Sequence, residues 1–292
     1  MSDVDPALHE DLERLRLEHG LWHPDAPARL LADGDENLTV EVGDHIVRFS
    51  RQPESDRALH LEAALLNALA PLTKVPIPAP VVDAEARVLM YRRLPGTPLL
   101  GCPGIRLDLV ADGLVDLLAA VRRLGDAVRL PVDDSDDGAW LDDAIADFGM
   151  VRHRLDADRA AVVEAFLHAP PPPPPTRMVA SHNDLGAEHL LIDDECRLAG
   201  VIDWTDAAIT GPARDLGSIY RDLGPAVAFR VAARLDGAVT DDDARRMAFH
   251  ARCRWIEDLR YGLDDPSRRA VYIGNAWRTF AHTFEKVDRV DG

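Results

Sequence analysis

Ser181-His-Asn-Asp-Leu-Gly-Ala-Glu-His-Leu-Leu-Ile192, followed by Gly200-Val-Ile-Asp-Trp204, is the stretch that decides how this 292-residue chain is read. It sets His189 five residues, and Asp203 nineteen residues, beyond Asp184. One carboxylate is free to act on a hydroxyl proton, while a neutral ligand and a second carboxylate are placed to hold a divalent cation. Phosphoryl transfer needs that division of labour: the cation neutralises phosphate charge and the base orients the acceptor hydroxyl. Standing alone, His-x-Asp would be a turn capped by Asp184, since Asn183, Asp184 and Gly186 all favour turns.

Working outward, the chain before this block is strand-rich and the chain after it helical. Leu8, Leu12, Leu15 and Leu17 lie among charges over 7–20 and predict an amphipathic opening helix. Leu38–Val42 and His45–Phe49 flank Gly43-Asp44 as a hairpin, and 56–70 has helical propensity and period. Pro71, Pro76, Pro78 and Pro80 force an extended connection to short strands at 81–82 and 87–91. Leu94-Pro-Gly-Thr-Pro98 breaks that pattern, so a small lobe of 1–94 is expected to precede a larger one of 95–292, helical from Leu107–Leu124 onward. Pro170–Pro175 reads as an extended spacer delivering the chain to a strand near Met178. Residues 178–203 read as two short strands around a loop, and 241–261 and 270–285 as helices.

Composition narrows the partners. The hydrophobic fraction of 47% is that of an ordinary globular chain, and no apolar run is long enough for a bilayer. The acidic start, Met1 to Glu10, lacks the regions of a signal peptide. Cys102, Cys196 and Cys253 are dispersed and odd in number, which fits a reducing cytoplasm. A formal net charge of -18 argues against nucleic acid and suits a cationic small molecule, although acidic surfaces also serve solubility. A monomer or homodimer without nucleic-acid or membrane partners is expected.

The Asp184, His189 and Asp203 spacing resembles the catalytic and metal-binding loops of the protein-kinase-like fold, and its wording is closer to the aminoglycoside phosphotransferase family than to protein kinases. The resemblance runs from about Leu30 to Phe284 and is most specific over 181–215. It implies an α+β, two-lobed fold with a β-rich N-lobe, a larger helical C-lobe and nucleotide between them. It implies Asp184 as the catalytic carboxylate, Mg2+ held by His189 and Asp203, and ATP or GTP as donor. His189 stands where the fold normally has asparagine, and branches acting on the aminoglycoside 2″-hydroxyl and on macrolides look similar there. The resemblance also makes Asp215 a residue that bonds the catalytic loop, with His182 fixing the loop backbone.

In the N-lobe, Arg48 and Glu62 resemble the strand cation and helix acid that steady nucleotide phosphates, with arginine in place of the usual lysine. Asp33-Gly-Asp-Glu-Asn37 sits where a phosphate-covering loop belongs. Val88–Gly96 looks like the hinge, with Tyr91 to Leu94 facing a purine, Met90 at the back, and Leu191 and Ile202 sandwiching the base. Asp206, Glu257, Asp258, Asp264 and Asp265 are the candidate acids for a cationic acceptor; the same acids also suit a solvated helix face. The function implied is transfer of the γ-phosphoryl to a hydroxyl of an antibiotic, an aminoglycoside first and a macrolide second. The same fold also carries kinases of choline, homoserine or fructosamine type, a non-catalytic nucleotide-binding protein stays open, and a metal hydrolase built on His182, Asp184, His189 and Asp203 leaves Arg48 and Glu62 unexplained.

Overall fold

The computed structural model describes residues 6–33, 37–102 and 106–284. Helix α1 (Pro6–His19) leads to strands β1 (Ala28–Asp33), β2 (Asn37–Val42) and β3 (His45–Ser50), helix α2 (Pro53–Leu69), and strands β4 (Val81–Asp83) and β5 (Val88–Arg92). The five strands form one antiparallel sheet in the order β1-β2-β3-β5-β4. Alternation along each strand sends side chains to both faces, and both are covered. Leu8, Leu12 and Leu15, at helical spacing on α1, meet Val40, Val47, Val88 and Met90. Leu59 and Ala63 of α2 meet Ile46, Leu89 and Tyr91 on the other face. Of the expected phosphate-covering loop, Gly34 to Glu36 lie outside the described residues.

The chain leaves the sheet after Arg92 and re-enters regular structure at β6 (Thr97–Pro98). Gly96 makes this crossing possible: its φ is 99°, and a Cβ there would lie 2.8 Å from the Ile192 carbonyl oxygen. Helices α3 (Leu107–Arg122), α4 (Asp137–Val151) and α5 (Ala157–Leu167) follow. Asp136 and Asp156 start α4 and α5 by accepting hydrogen bonds from the Ala139 and Arg159 amides at 2.8 and 2.9 Å.

Prolines 170–175 form neither helix nor strand and run from α5 to β7 (Val179–Ser181), as a spacer should. Their carbonyls find a donor in Arg246, whose Nε and Nη2 reach Pro173 O and Pro174 O at 2.9 and 3.3 Å. The 178–203 region holds three short strands rather than two: β7, β8 (Leu190–Ile192) and β9 (Leu198–Val201). β8 and β9 are a hairpin whose turn is closed by the Asp193 side chain, accepting from the Glu195 and Arg197 amides at 2.9 and 2.8 Å. β7 pairs instead with β10 (Ala208–Thr210). Helices α6 (Ala213–Leu223), α7 (Pro225–Asp236), α8 (Asp241–Asp264) and α9 (Ala270–Phe284) complete the chain. One core joins α2, α3, β8, β9, α6 and α7; a second joins α4, α5, α8 and α9. No helix among the described residues is long and apolar enough to cross a membrane.

Candidate active site

The loop between β7 and β8 carries Asp184, and two buried carboxylates on α6 fix its backbone. Asp215 accepts from the His182 and Asn183 amides at 3.0 and 2.8 Å. Asp222, two helical turns further on the same face, accepts from the Ala187 amide at 2.8 Å. His182 joins the loop to the end of β9: Nε2–H donates to the Ile202 carbonyl at 3.1 Å, and Nδ1 accepts from the Asp184 amide at 3.3 Å. Its ring is fully buried, and burial brings its pKa down to about 4, which keeps it neutral in this role. The loop bends through Asn183 at φ 70°, and Asp203 holds φ 63°. Both are left-handed positions that asparagine and aspartate tolerate; the Asn183 side chain turns to Asp133 and that of Asp203 to His189.

His189 lies between Asp184 and Asp203. His189 Nδ1 donates to the Asp184 carbonyl at 2.8 Å, which leaves the Nε2 lone pair facing Asp203 Oδ2 at 3.7 Å. A neutral imidazole nitrogen and a carboxylate oxygen at that separation, with the ring orientation fixed by a backbone acceptor, suit two ligands of one divalent cation. Burial alone would lower the His189 pKa, but Asp184 and Asp203 outweigh it and raise the value. Asp184 Oδ2 lies 3.5 Å from His189 Nδ1. Burial acts to raise the Asp184 pKa, and the positive charge of Arg254 overcomes it, holding the carboxylate ionised below its usual range.

Arg48 and Glu62 meet beside this cluster. Arg48 Nη1 reaches both Glu62 oxygens at 3.0 and 2.7 Å, with arginine 8% and glutamate 2% exposed. Burial raises the Glu62 pKa against the pull of Arg48. Arg48 Nη2 also donates to Thr205 Oγ1 at 2.8 Å and stands 3.7 Å from Asp203 Oδ1. The Thr205 hydroxyl, 3.2 Å from Glu62 and 3.1 Å from Asp203, has one proton to give to either. The ion pair therefore touches the segment that presents Asp203, a link across 157 residues of sequence.

The expected purine-facing residues divide. Leu94 lies against Gly200, where a Cβ would come within 2.7 Å of its Cδ1, and Leu191 pairs with Gly200 across the β8–β9 hairpin. Ile202 is half-buried between the His189 and His182 contacts. Tyr91 lies on the sheet face that carries Arg48. Met90 is corrected: strand alternation turns it to the opposite face, into the α1 core. Leu89, directly across from Arg48, is the neighbouring β5 residue on the Arg48 face.

The acceptor acids also divide. Glu257 lies one helical turn after Arg254; the residue is exposed, yet burial of its carboxylate raises its pKa, opposed by Arg254 and reinforced by the charge of Asp184. Asp206 is exposed just after the Asp203–Thr205 segment. Asp258 is corrected: it turns inward, 8% exposed, with Oδ2 2.9 Å from Arg221 Nη1 in a buried network that includes Asp222 and Glu188. Burial raises its pKa even so, while Asp222, held twice by Arg221, stays low. Asp264 pairs with Arg260 on the surface, and Asp265 accepts from Ser267 in the turn after α8.

Arg254 is the contact that reading the sequence missed. Its Nη1 donates to Asp184 Oδ1 at 2.9 Å and its Nη2 to the Asn183 carbonyl at 2.5 Å. Its guanidinium lies over the Trp140 ring of α4, 5.2 Å from the centroid. In the sequence Arg254 is one more charge on a long polar helix, and Thr205 carries no signal at all.

An ionised carboxylate, a histidine–carboxylate pair and a buried cation–acid pair thus meet at one seam. The phosphotransferase enzyme (APH) family model matches residues 27–250, and the chain belongs to that family of small-molecule kinases. A viomycin phosphotransferase of Streptomyces vinaceus is 29% identical over 236 residues, 72% of this chain and 78% of that protein. The chain is similar in fold to the GDP and kanamycin complex of an APH(2")-IIIa (21% identity, TM-score 0.67, 94% of this chain and 98% of that one). It is similar also to a type I macrolide 2'-phosphotransferase (20% identity, TM-score 0.63, 96% and 99% covered).

Proposed function

We propose that this chain transfers the γ-phosphoryl group of ATP or GTP to a hydroxyl of a cationic small-molecule antibiotic, an aminoglycoside first and a macrolide second. One observation carries the reading: His189 stands between Asp184 and Asp203, 3.5 Å from the first and 3.7 Å from the second, and Arg48 of the Arg48–Glu62 pair comes within 3.7 Å of Asp203. Phosphoryl transfer asks for positioning and charge neutralisation rather than for a covalent group on the protein. Asp184, kept ionised by Arg254, accepts the acceptor's hydroxyl hydrogen and aims its oxygen. Arg48, held by Glu62 and Thr205, presents fixed positive charge at the nucleotide side. His189 Nε2 and Asp203 would hold Mg2+, which when bound neutralises phosphate charge.

The named acceptors of the relatives, viomycin, kanamycin and macrolides, support an antibiotic rather than a metabolite. Glu257 beside Asp184 gives the acceptor side an acidic lip that attracts a cation. The division between nucleotide-binding and acceptor-binding parts falls at Leu94, between β5 and β6, and the enzyme works in the cytoplasm as a monomer or homodimer. Release of nucleoside diphosphate is the test, measured with Mg2+ and ATP or GTP across aminoglycosides, macrolides, viomycin and metabolite alcohols. Stimulation by one antibiotic class that disappears in Asp184→Ala supports the reading. Retained nucleotide binding with no stimulation by any acceptor overturns it.

A further inference from the structure

The half-buried Thr205 hydroxyl stands where three charged side chains meet, and it has one proton for two carboxylates. Arg48 Nη2 donates to Thr205 Oγ1 at 2.8 Å, while Glu62 Oε2 and Asp203 Oδ1 lie 3.2 and 3.1 Å from the same oxygen. A hydroxyl donates one hydrogen bond and accepts up to two. With Arg48 on a lone pair, the proton goes to Glu62 or to Asp203, never to both at once.

The two acceptors do not need it equally. Glu62 already takes Arg48 Nη1 on both oxygens, at 3.0 and 2.7 Å, and the Trp204 amide at 3.4 Å. Asp203 is the open one: its side chain is 47% exposed against 1% for Glu62. It has Oδ2 3.7 Å from His189 Nε2 and Oδ1 3.7 Å from Arg48 Nη2. The Thr205 proton, placed on Oδ1, satisfies the inner oxygen and leaves Oδ2 for the His189 side. Without that hydroxyl, Arg48 Nη2 and Asp203 Oδ1 each lose a partner. As opposite charges already 3.7 Å apart, they are then drawn into a direct ion pair. Such a pair engages the two groups that must be ready for ligand, Arg48 for phosphate and Asp203 for a cation.

We propose that Thr205 is a positioning residue that couples the two ligands: its hydroxyl bridges Arg48 and Asp203 and holds them apart, so that nucleotide and Mg2+ strengthen each other's binding. The inference rests on the proposed placing of nucleotide at Arg48 and of the cation at Asp203. Arg48 and Glu62 belong to β3 and α2, and Thr205 to the stretch between β9 and β10, so the bridge ties the five-stranded sheet to the 203–205 segment. Once Asp203 is engaged by a cation its oxygens are poorer acceptors, and the Thr205 proton has Glu62 to turn to at 3.2 Å. The hydroxyl is thus satisfied in both states. Coupling of this kind is reciprocal: the factor by which Mg2+ tightens nucleotide is the factor by which nucleotide tightens Mg2+.

Titration calorimetry of the full chain tests this with the β,γ-imido analogues of ATP and GTP, which bind without turnover, measured once with Mg2+ and once with EDTA. The quantity read is the ratio of the two dissociation constants. Each ratio is taken on one protein, so a general loss of stability cancels. Wild type binds an analogue more tightly with Mg2+. Thr205→Val, which keeps the shape and removes the hydroxyl, lowers that ratio about fivefold or more, the lower end of coupling between sites. Thr205→Ser, which keeps the hydroxyl and removes the methyl, restores it. A ratio in Thr205→Val equal to that of wild type overturns the proposal, and so does a Thr205→Ser ratio as low as that of Thr205→Val. Wild type that binds neither analogue, or binds one with no response to Mg2+, overturns the placing of nucleotide and cation and the proposal with it. A strong wild-type response that survives in Thr205→Val overturns the proposal alone, so the two fail separately.

Discussion

Arg254 Nη1 donates to Asp184 Oδ1 at 2.9 Å, joining the middle of α8 to the catalytic loop across 70 residues of sequence. The same guanidinium holds the Asn183 carbonyl, so it fixes both the charge of the proposed catalytic carboxylate and the backbone just before it. Removing it frees Asp184 to rotate and releases the loop. Arg254→Met should lower kcat about 100-fold, the order seen when an oriented catalytic group is misplaced, with the dissociation constant for nucleotide unchanged. Arg254→Lys restores the charge without the fork and should recover part of the loss. Equal loss of nucleotide binding and turnover would count against this role.

The buried Arg48–Glu62 pair should matter to folding as well as to nucleotide. Deleting one partner leaves an uncompensated buried charge, a cost of about 3–5 kcal/mol. Glu62→Ala is expected to lower the unfolding midpoint in denaturant melts and to raise the KM for ATP or GTP. Arg48→Lys keeps charge but cannot reach both Glu62 oxygens and Thr205 at once, so its nucleotide KM should rise with a smaller loss of stability.

As a proposed metal ligand, the His189 imidazole is softer than an amide oxygen. His189→Asn should retain activity with Mg2+ and reduce the relative activity with Mn2+ or Co2+. Rates measured with each metal in both proteins check this; an unchanged metal ranking would place His189 outside the coordination shell.

Asp215 supplies a pH dependence with a definite sign. Burial raises its pKa to about 6 in the folded chain, against roughly 3.9 when unfolded. A raised carboxyl pKa means the folded state binds the extra proton, so this group's stabilising contribution is full below about pH 4 and is lost as the pH rises through 6, on the order of 3 kcal/mol in all. Function runs the other way, because protonation removes an acceptor from the His182 and Asn183 amides. Activity should therefore fall below pH 6 while global stability does not fall on this account. Asp215→Asn should be slower at pH 7.5 and show a flatter stability curve between pH 4 and 6.

Glu257 and Asp258 are neighbours with opposite orientations. Glu257→Gln is expected to raise the KM of a cationic acceptor several-fold, roughly the worth of one partly screened charge contact, with the unfolding temperature unchanged. Asp258→Asn should leave both acceptor specificity and stability nearly unchanged, since Asp222 still holds Arg221 and burial already disfavours the Asp258 charge. Thermal melts and acceptor titrations on both variants check this.

The fold was legible wherever local chemistry sets structure. The hairpin at Gly43-Asp44, α1, α2, the proline spacer and the long C-terminal helices follow from period, propensity and turn residues. The β8–β9 hairpin was not, because its turn is closed by the Asp193 carboxylate rather than by glycine or proline. Met90 was misplaced because a continuous apolar run, Val88 to Tyr91, gives no hint of which residue faces α1 and which faces α2. Asp258 looked like any other acid on a charged helix until Arg221 of α6 was packed against it.

What the sequence by itself determined is the catalytic arithmetic: Asp184, His189 and Asp203 lie within twenty residues on one hairpin and its approach, so their meeting is a consequence of local turns and short strands. The partners that hold them were decided only by tertiary structure. Arg254 reaches Asp184, Arg48 reaches Thr205, and Asp133 reaches Asn183 over separations of 70, 157 and 50 residues. Such contacts depend on which helix faces the core packing brings together, and no periodicity along the chain encodes that choice.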